Sequence, residues 1–188
     1  MATQLTPRRF SAAEYHQMIE AGVFADRERL ELIDGEIVHM SPIGHRHAAC
    51  VRRLNALLGQ LFAGRALVDV QNPIVVGAAY APQPDLALLR PRADYYRLRT
   101  PTTDDCLLVV EVADSSAEYD RQVKVKVPRY ARGGVVELWL VDLEREVVFV
   151  YREPAGDGYQ QLQVLRRGDT VILGALDGPG VPDQAILG

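Results

Sequence analysis

Leu107-Leu-Val-Val-Glu-Val-Ala113 decides how the chain must fold. A near-continuous run of branched apolar residues is the mark of a strand covered on both faces, in the middle of a sheet flanked by helices. Glu111 interrupts that run. An ionised carboxylate in such a place costs several kcal/mol unless it is paired or binds a cation. Either Glu111 lies on an exposed face or near the strand end, or it serves a site.

Working outward, Gln83-Pro-Asp-Leu-Ala-Leu-Leu89 reads as a strand from Asp85 to Leu89, with Pro84 fixing its start. Leu67 to Val76 reads as another. Asp114-Ser-Ser-Ala leads into a helix expected from Glu118 to Ala131, which Pro128 can bend and Gly133-Gly134 ends. Val136 to Asp142 follows as a strand. Before these strands, Val51, Leu54, Leu57, Leu58 and Leu61 recur at helical spacing, predicting a helix from His47 to Phe62 that Gly64 terminates. At the N-terminus, Ser11 with Glu14 three residues on forms a capping box for a helix running to Glu20 and stopping at Gly22. Arg29 to Met40 alternates around Asp34-Gly35, a hairpin signature, because a tight turn needs positive φ. Residues 147–151, 159–165 and 171–173 read as antiparallel strands. From 47 to 142 the order is helix, three strands, helix, strand. The fold class is therefore α/β (an α+β mixed sheet), with an N-terminal helix and hairpin and a C-terminal β extension. No linker divides the chain, so residues 1–188 are expected to form a single domain with its core at 47–142.

The chain has 188 residues, 48% hydrophobic and 24% charged, a composition that excludes a disordered chain. No apolar run reaches the roughly 18 residues of a membrane span, and Met1-Ala-Thr-Gln-Leu-Thr-Pro-Arg-Arg9 lacks a signal-peptide core. The expected location is cytoplasmic, with no membrane partner. Cys50 and Cys106 stand alone in apolar stretches and read as buried free thiols rather than zinc ligands. The net charge of −4 argues against tight, non-specific nucleic-acid binding. A local basic face could still come from Arg52-Arg53, Arg90-Pro-Arg92, Arg97 to Arg99 or Lys124 to Arg132. Trp139 and Tyr130 read as core aromatics, and His16, His39 and His45 have no ligand-like spacing.

Asp85 on its own is a residue beginning a strand. Beside Glu111 on a neighbouring strand it becomes half of a carboxylate pair at one end of the sheet. Two such groups repel unless a cation lies between them. Hard oxygen donors with few nitrogen or sulfur ligands favour Mg²⁺ or Mn²⁺. Such an ion lowers the pKa of a bound water and offsets charge on a phosphoryl oxygen.

The chain resembles the Uma-type family of predicted endonucleases, within the PD-(D/E)XK superfamily. The resemblance rests on Glu31-Leu-Ile-Asp-Gly-Glu-Ile-Val-His-Met40, Ser41-Pro-Ile-Gly44 with His47, Gln83-Pro-Asp85, Val110-Glu-Val-Ala-Asp-Ser-Ser116, Tyr119-Asp-Arg121, Tyr130-Ala131 and Val136-Glu-Leu-Trp-Leu-Val-Asp142. It implies a restriction endonuclease-like core, with Asp85, Glu111 and the main-chain carbonyl of Val112 as metal ligands. The superfamily pattern places a lysine two residues after Glu111, where this chain has Ala113; in the Uma-type family it lies on the following helix. Here that helix reads Asp120-Arg-Gln-Val-Lys-Val-Lys-Val-Pro-Arg-Tyr130. Four residues forward from Asp120 is Lys124, and four back from Tyr130 is Lys126, as if Val-Lys were duplicated. Two extra residues turn a helix by about 200°, so only one lysine can face the site, and the resemblance favours Lys126. Glu31, Glu36 and His47 fall at family-like positions as accessory residues, His47 either contacting substrate or capping its helix.

The function implied is hydrolysis of DNA phosphodiester bonds by a Mg²⁺- or Mn²⁺-dependent endonuclease. The alternative is a catalytically inactive binding or interaction module on the same fold, which the net charge and the lysine spacing favour. A carboxylate-pair glycosidase accounts for two acids but not for the lysines. The apolar C-terminal strands suggest a homodimer.

Overall fold

The computed structural model describes residues 6–24 and 28–188. Residues 1–5, part of the stretch read as lacking a signal-peptide core, lie outside them. Ser11 caps helix α1 (Ala12–Glu20) through the expected box: its side chain accepts from the Glu14 N–H, and the Glu14 carboxylate accepts from the Ser11 N–H. Strands β1 (Leu30–Ile33) and β2 (Glu36–His39) pair around Asp34-Gly35, whose φ values of 51° and 79° are those of a tight hairpin turn. A Cβ on Gly35 would also meet the Arg9 side chain at 2.7 Å. Leu32 and Ala81 exchange backbone hydrogen bonds, which docks this hairpin beside the segment leading into the central sheet.

Helix α2 (His45–Leu61) begins two residues earlier than its periodicity predicts, at Gly44, and lays Cys50, Leu54 and Leu58 on the sheet. The sheet has six strands in the order β3-β4-β5-β6-β7-β8. These are β3 (Leu67–Val70), β4 (Leu86–Leu89), β5 (Cys106–Ala113), β6 (Glu137–Asp142), β7 (Val147–Ala155) and β8 (Gly158–Leu165). Only β5 and β6 are parallel; every other pair is antiparallel. All eight residues of β5 are buried, Glu111 among them, with 3% of its surface exposed.

Several elements depart from expectation. The first strand ends at Val70 rather than Val76, because Gln71 turns to φ 53° and the chain leaves the ladder. The helix expected from Glu118 is three pieces: α3 (Ser116–Arg121), a π-turn (Gln122–Lys126) and α4 (Val127–Arg132). The expected C-terminal β extension is formed by β7 and β8, which continue the central sheet. Beyond them come β9 (Thr170–Val171), shorter than expected, and two elements without a strong sequence signal, β10 (Val181–Pro182) and α5 (Asp183–Leu187). Trp139 lies in the core, and both cysteines are buried free thiols. Among the described residues, no helix is long and apolar enough to cross a membrane.

Candidate active site

The register Leu86↔Val110 of the antiparallel β4–β5 pair puts Asp85 and Glu111 at facing positions, one step beyond. Facing residues of this kind carry Cβ atoms about 5 Å apart, so the two carboxyls share one end of the sheet. Asp85 is 4% exposed. Its Oδ1 accepts from His47 Nε2 at 2.8 Å and from Gln71 Nε2 at 3.2 Å, and its Oδ2 accepts from the Val112 N–H at 2.8 Å. Strand geometry puts the Val112 carbonyl on the same edge as its N–H. The ladder position opposite is Pro84, which has no N–H to donate to it.

Glu111 Oε1 accepts from Lys126 Nζ at 2.8 Å and from the Tyr130 hydroxyl at 2.6 Å, and its Oε2 accepts from Gln122 Nε2 at 3.3 Å. Lys126 also donates to Glu31 Oε1 at 2.8 Å. Glu31 comes from the hairpin, is fully buried, and accepts a second bond from the Gln83 N–H at 3.0 Å. Its other oxygen, Oε2, has no partner, nor has the buried Gln122 Oε1.

The π-turn decides between the two lysines. The Val127 N–H reaches back five residues to the Gln122 carbonyl, and Pro128 has no N–H to restore ordinary spacing. The wider turn re-phases the helix, so that Gln122, Lys126 and Tyr130 all meet Glu111. Lys124 stays exposed and pairs with Asp120 at 2.8 Å. Glu36 is also outside the cluster: it shares the hairpin face of Glu31 but lies at the turn end, opposite Ile33, where it is exposed and pairs with Arg9. His47 is within the cluster, bonded to Asp85 rather than capping its helix. Tyr130, expected as a core aromatic, is buried but spends its hydroxyl on Glu111. Gln71, Gln122 and Tyr130 were not legible as site residues, although the i, i+4, i+8 row of Gln122, Lys126 and Tyr130 is a signal in hindsight.

The cluster is overcharged. Three buried carboxylates, Glu31, Asp85 and Glu111, face one ammonium and the His47 imidazole, whose pKa burial lowers and Asp85 more than restores. Burial pushes the Glu111 carboxyl up; Lys126 draws it down, but Asp85 and Glu31 push it further up, and the net shift is upward. Burial works against the Lys126 charge, yet Glu111 and Glu31 outweigh it and hold the ammonium protonated. Burial opposes ionisation of Asp85 too, and His47 and the Val112 N–H overcome it, leaving Asp85 below the usual carboxylate range. Among the described residues, no group of three or more His, Cys, Asp and Glu side chains is placed to hold a metal. A Mg²⁺ site needs less, since this ion commonly takes one or two carboxylates and completes its shell with water and substrate phosphate. Asp85, Glu111 and the Val112 carbonyl are hard oxygen donors of that kind lining one cavity, and the carboxylate excess fits a cation there.

A mixed sheet flanked by helices, with paired acids and a lysine at one end, defines a nuclease-like α/β protein of the restriction endonuclease type. The chain belongs to the Uma2 family, described as "Putative restriction endonuclease", whose model matches residues 12–180. Its fold is similar to the crystal structure of "a putative nuclease belonging to DUF820" from Anabaena variabilis, with a TM-score of 0.68 at 15% identity. That match covers 89% of this chain and 94% of the other. No curated protein matches the chain.

Proposed function

We propose that the protein is a Mg²⁺- or Mn²⁺-dependent endodeoxyribonuclease, with Asp85, Glu111 and the Val112 carbonyl as metal ligands and Lys126 as the catalytic lysine. The observation that carries this reading is the excess of buried carboxylates: Glu31, Asp85 and Glu111 against Lys126 and His47, with one Glu31 oxygen unpartnered. A structural ion cluster has no reason to be left short of positive charge. When bound, the cation lowers the pKa of a water and offsets charge on a phosphoryl oxygen.

The chain's own residues supply the rest. His47, Gln71 and the Val112 N–H hold the Asp85 carboxylate in one orientation. Tyr130 and Gln122 do the same for Glu111. Lys126 sits between Glu111 and Glu31, which favour its charged form against burial, and its part is to present N–H donors and positive charge toward a phosphate oxygen or an attacking water. Glu31 fixes the ammonium from the other side.

The test is cleavage of plasmid DNA by purified protein with Mg²⁺, with Mn²⁺ and with chelator. Cleavage should need the cation and fall to background in Asp85→Ala, with the circular dichroism spectrum unchanged. Wild-type cleavage by Asp85→Ala would sink the proposal. Absence of any Mg²⁺ or Mn²⁺ binding by calorimetry at millimolar concentration would favour the inactive binding module instead.

A further inference from the structure

The cavity enclosed by Asp85, Glu111 and Lys126 measures about 20 Å³. That is room for about one water-sized occupant, far too little for a phosphodiester group. A strand of nucleic acid must therefore rest on the rim and present one phosphate inward. Two cations line the same cavity besides Lys126: Arg29, from the start of the hairpin, and Arg121, from the last turn of α3.

These two differ from half of the arginines of the candidate basic face. Arg92 pairs with Asp94, Arg99 with Asp105, Arg129 with Asp34 and Arg132 with Asp157, so those four are locally neutralised, and the unpaired Arg52, Arg53, Arg90 and Arg97 do not line this cavity. Among the described residues, neither Arg29 nor Arg121 forms an ion pair. Arg29 Nη1 donates to the Ser41 carbonyl at 2.7 Å. Arg121 Nη1 reaches only the Met40 thioether, at 3.5 Å, a weak acceptor for a guanidinium with five N–H donors. The one acid on the rim, Glu118, accepts from the Asp114 N–H at 3.0 Å. Arg121 also borders a second, open groove of about 360 Å³ between the hairpin and the π-turn, with Val38 and Val125 in its walls. It thus stands where the cavity mouth meets a groove along which a strand can continue.

We propose that Arg121, assisted by Arg29, binds the phosphodiester backbone of DNA at the rim of the site and presents it to the carboxylates. A guanidinium matches phosphate bidentately, and such contacts position a backbone without reading sequence. This rests on the nuclease reading for its substrate, but it concerns binding and can be tested without catalysis.

The experiment measures anisotropy of a labelled DNA duplex in chelator, across a salt series, with wild type, Arg121→Gln, Arg121→Lys, Arg29→Gln and the ion-paired control Arg132→Gln. Arg121→Gln should bind about 5- to 10-fold more weakly on any sequence, and its plot of log affinity against log salt should be shallower by about 0.9, the loss of one phosphate contact. Arg29→Gln should show a smaller loss, Arg121→Lys should recover part of the slope, and Arg132→Gln should match wild type. Calorimetric Mg²⁺ binding should be the same in all five. Wild-type affinity and slope in Arg121→Gln, or an equal loss in Arg132→Gln, would overturn the inference. A wild-type protein that shows the Arg121 dependence yet never cuts DNA with Mg²⁺ or Mn²⁺ would uphold this inference and remove the nuclease reading. Failure of wild type to bind DNA at low salt would remove both.

Discussion

The two central strands each bury a glutamate, at opposite ends of the sheet, and the two are treated differently. Glu137 opens β6 and is 2% exposed. Its Oε1 accepts from Trp139 Nε1 at 2.7 Å and Arg152 Nη2 at 2.9 Å, and its Oε2 from the Gly174 N–H at 2.8 Å. One carboxylate meets one guanidinium, and both oxygens are satisfied. Glu111, late in β5, shares its only cation with Glu31 and faces Asp85. A buried acid is thus not in itself a functional signal. What separates the two ends is whether the surroundings supply the matching charge.

That difference is sharpest in a paired measurement of activity and stability. Glu111→Gln should abolish DNA cleavage, a fall of at least about 100-fold, and should raise the melting temperature without metal, since it relieves repulsion. Glu137→Ala should do the reverse, leaving Mg²⁺ binding intact and lowering stability by about 3–5 kcal/mol, the cost of breaking a buried pair, as read by urea denaturation. If Glu111→Gln destabilised the protein as much as Glu137→Ala, the two ends would be equivalent and the charge excess would mean nothing. Metal gives the same contrast: with a dissociation constant of about 1 mM, 10 mM Mg²⁺ should stabilise wild type by about 1.4 kcal/mol and Glu111→Gln by almost nothing.

The lysines divide in the same way. Lys126→Met removes the one cation serving two buried carboxylates and should abolish cleavage while lowering stability. Lys124→Met removes an exposed i,i+4 partner of Asp120 and should change stability by less than about 0.5 kcal/mol and cleavage by less than about twofold. Equal loss of cleavage in both would place the site elsewhere on the helix.

Much of this was legible because it follows short-range rules. The capping box at Ser11, the Asp34-Gly35 turn and the apolar run through β5 are local patterns, and Glu111 stood out by breaking one. The pairing of β4 with β5 then brought in Asp85. What was not legible depends on contacts between distant segments. Gln71 joins Asp85 only because the chain turns to positive φ after Val70. The resemblance favoured Lys126 over Lys124, but the π-turn that seats it beside Glu111 is announced by no hydrophobic periodicity. Glu36 resembled Glu31 in the sequence, but the hairpin register sets it at the turn end of the same face, out of reach of Lys126 and exposed. Helix α5 is five residues long and is placed by packing rather than propensity.

A modest, purely structural effect concerns an acid at the far end of β4 and β5, where charge is again balanced. Asp105 accepts from both terminal nitrogens of Arg99, at 2.6 and 2.7 Å, and from the Thr102 N–H at 2.8 Å. The Arg99 guanidinium, with Thr102, holds its carboxyl well below the usual range despite the opposing effect of partial burial. A depressed pKa in the folded state means that the unfolded chain takes up the proton first as pH falls. The stabilisation is therefore complete above about pH 4, the ordinary value for Asp, and is lost as pH drops from there through the folded-state pKa. Arg99 is 40% exposed on its side chain, so solvent screening limits the contribution to about 1 kcal/mol. Asp105→Asn should lower stability by that amount at pH 7, and the gap should narrow steadily as pH falls from about 4 toward 2, as followed by denaturant midpoints. Cleavage should be unaffected, because this pair lies at the other end of the strands from Asp85. A gap between the two proteins that stays constant down to pH 2 would show that Asp105 acts through packing or its 3₁₀-turn cap rather than through charge.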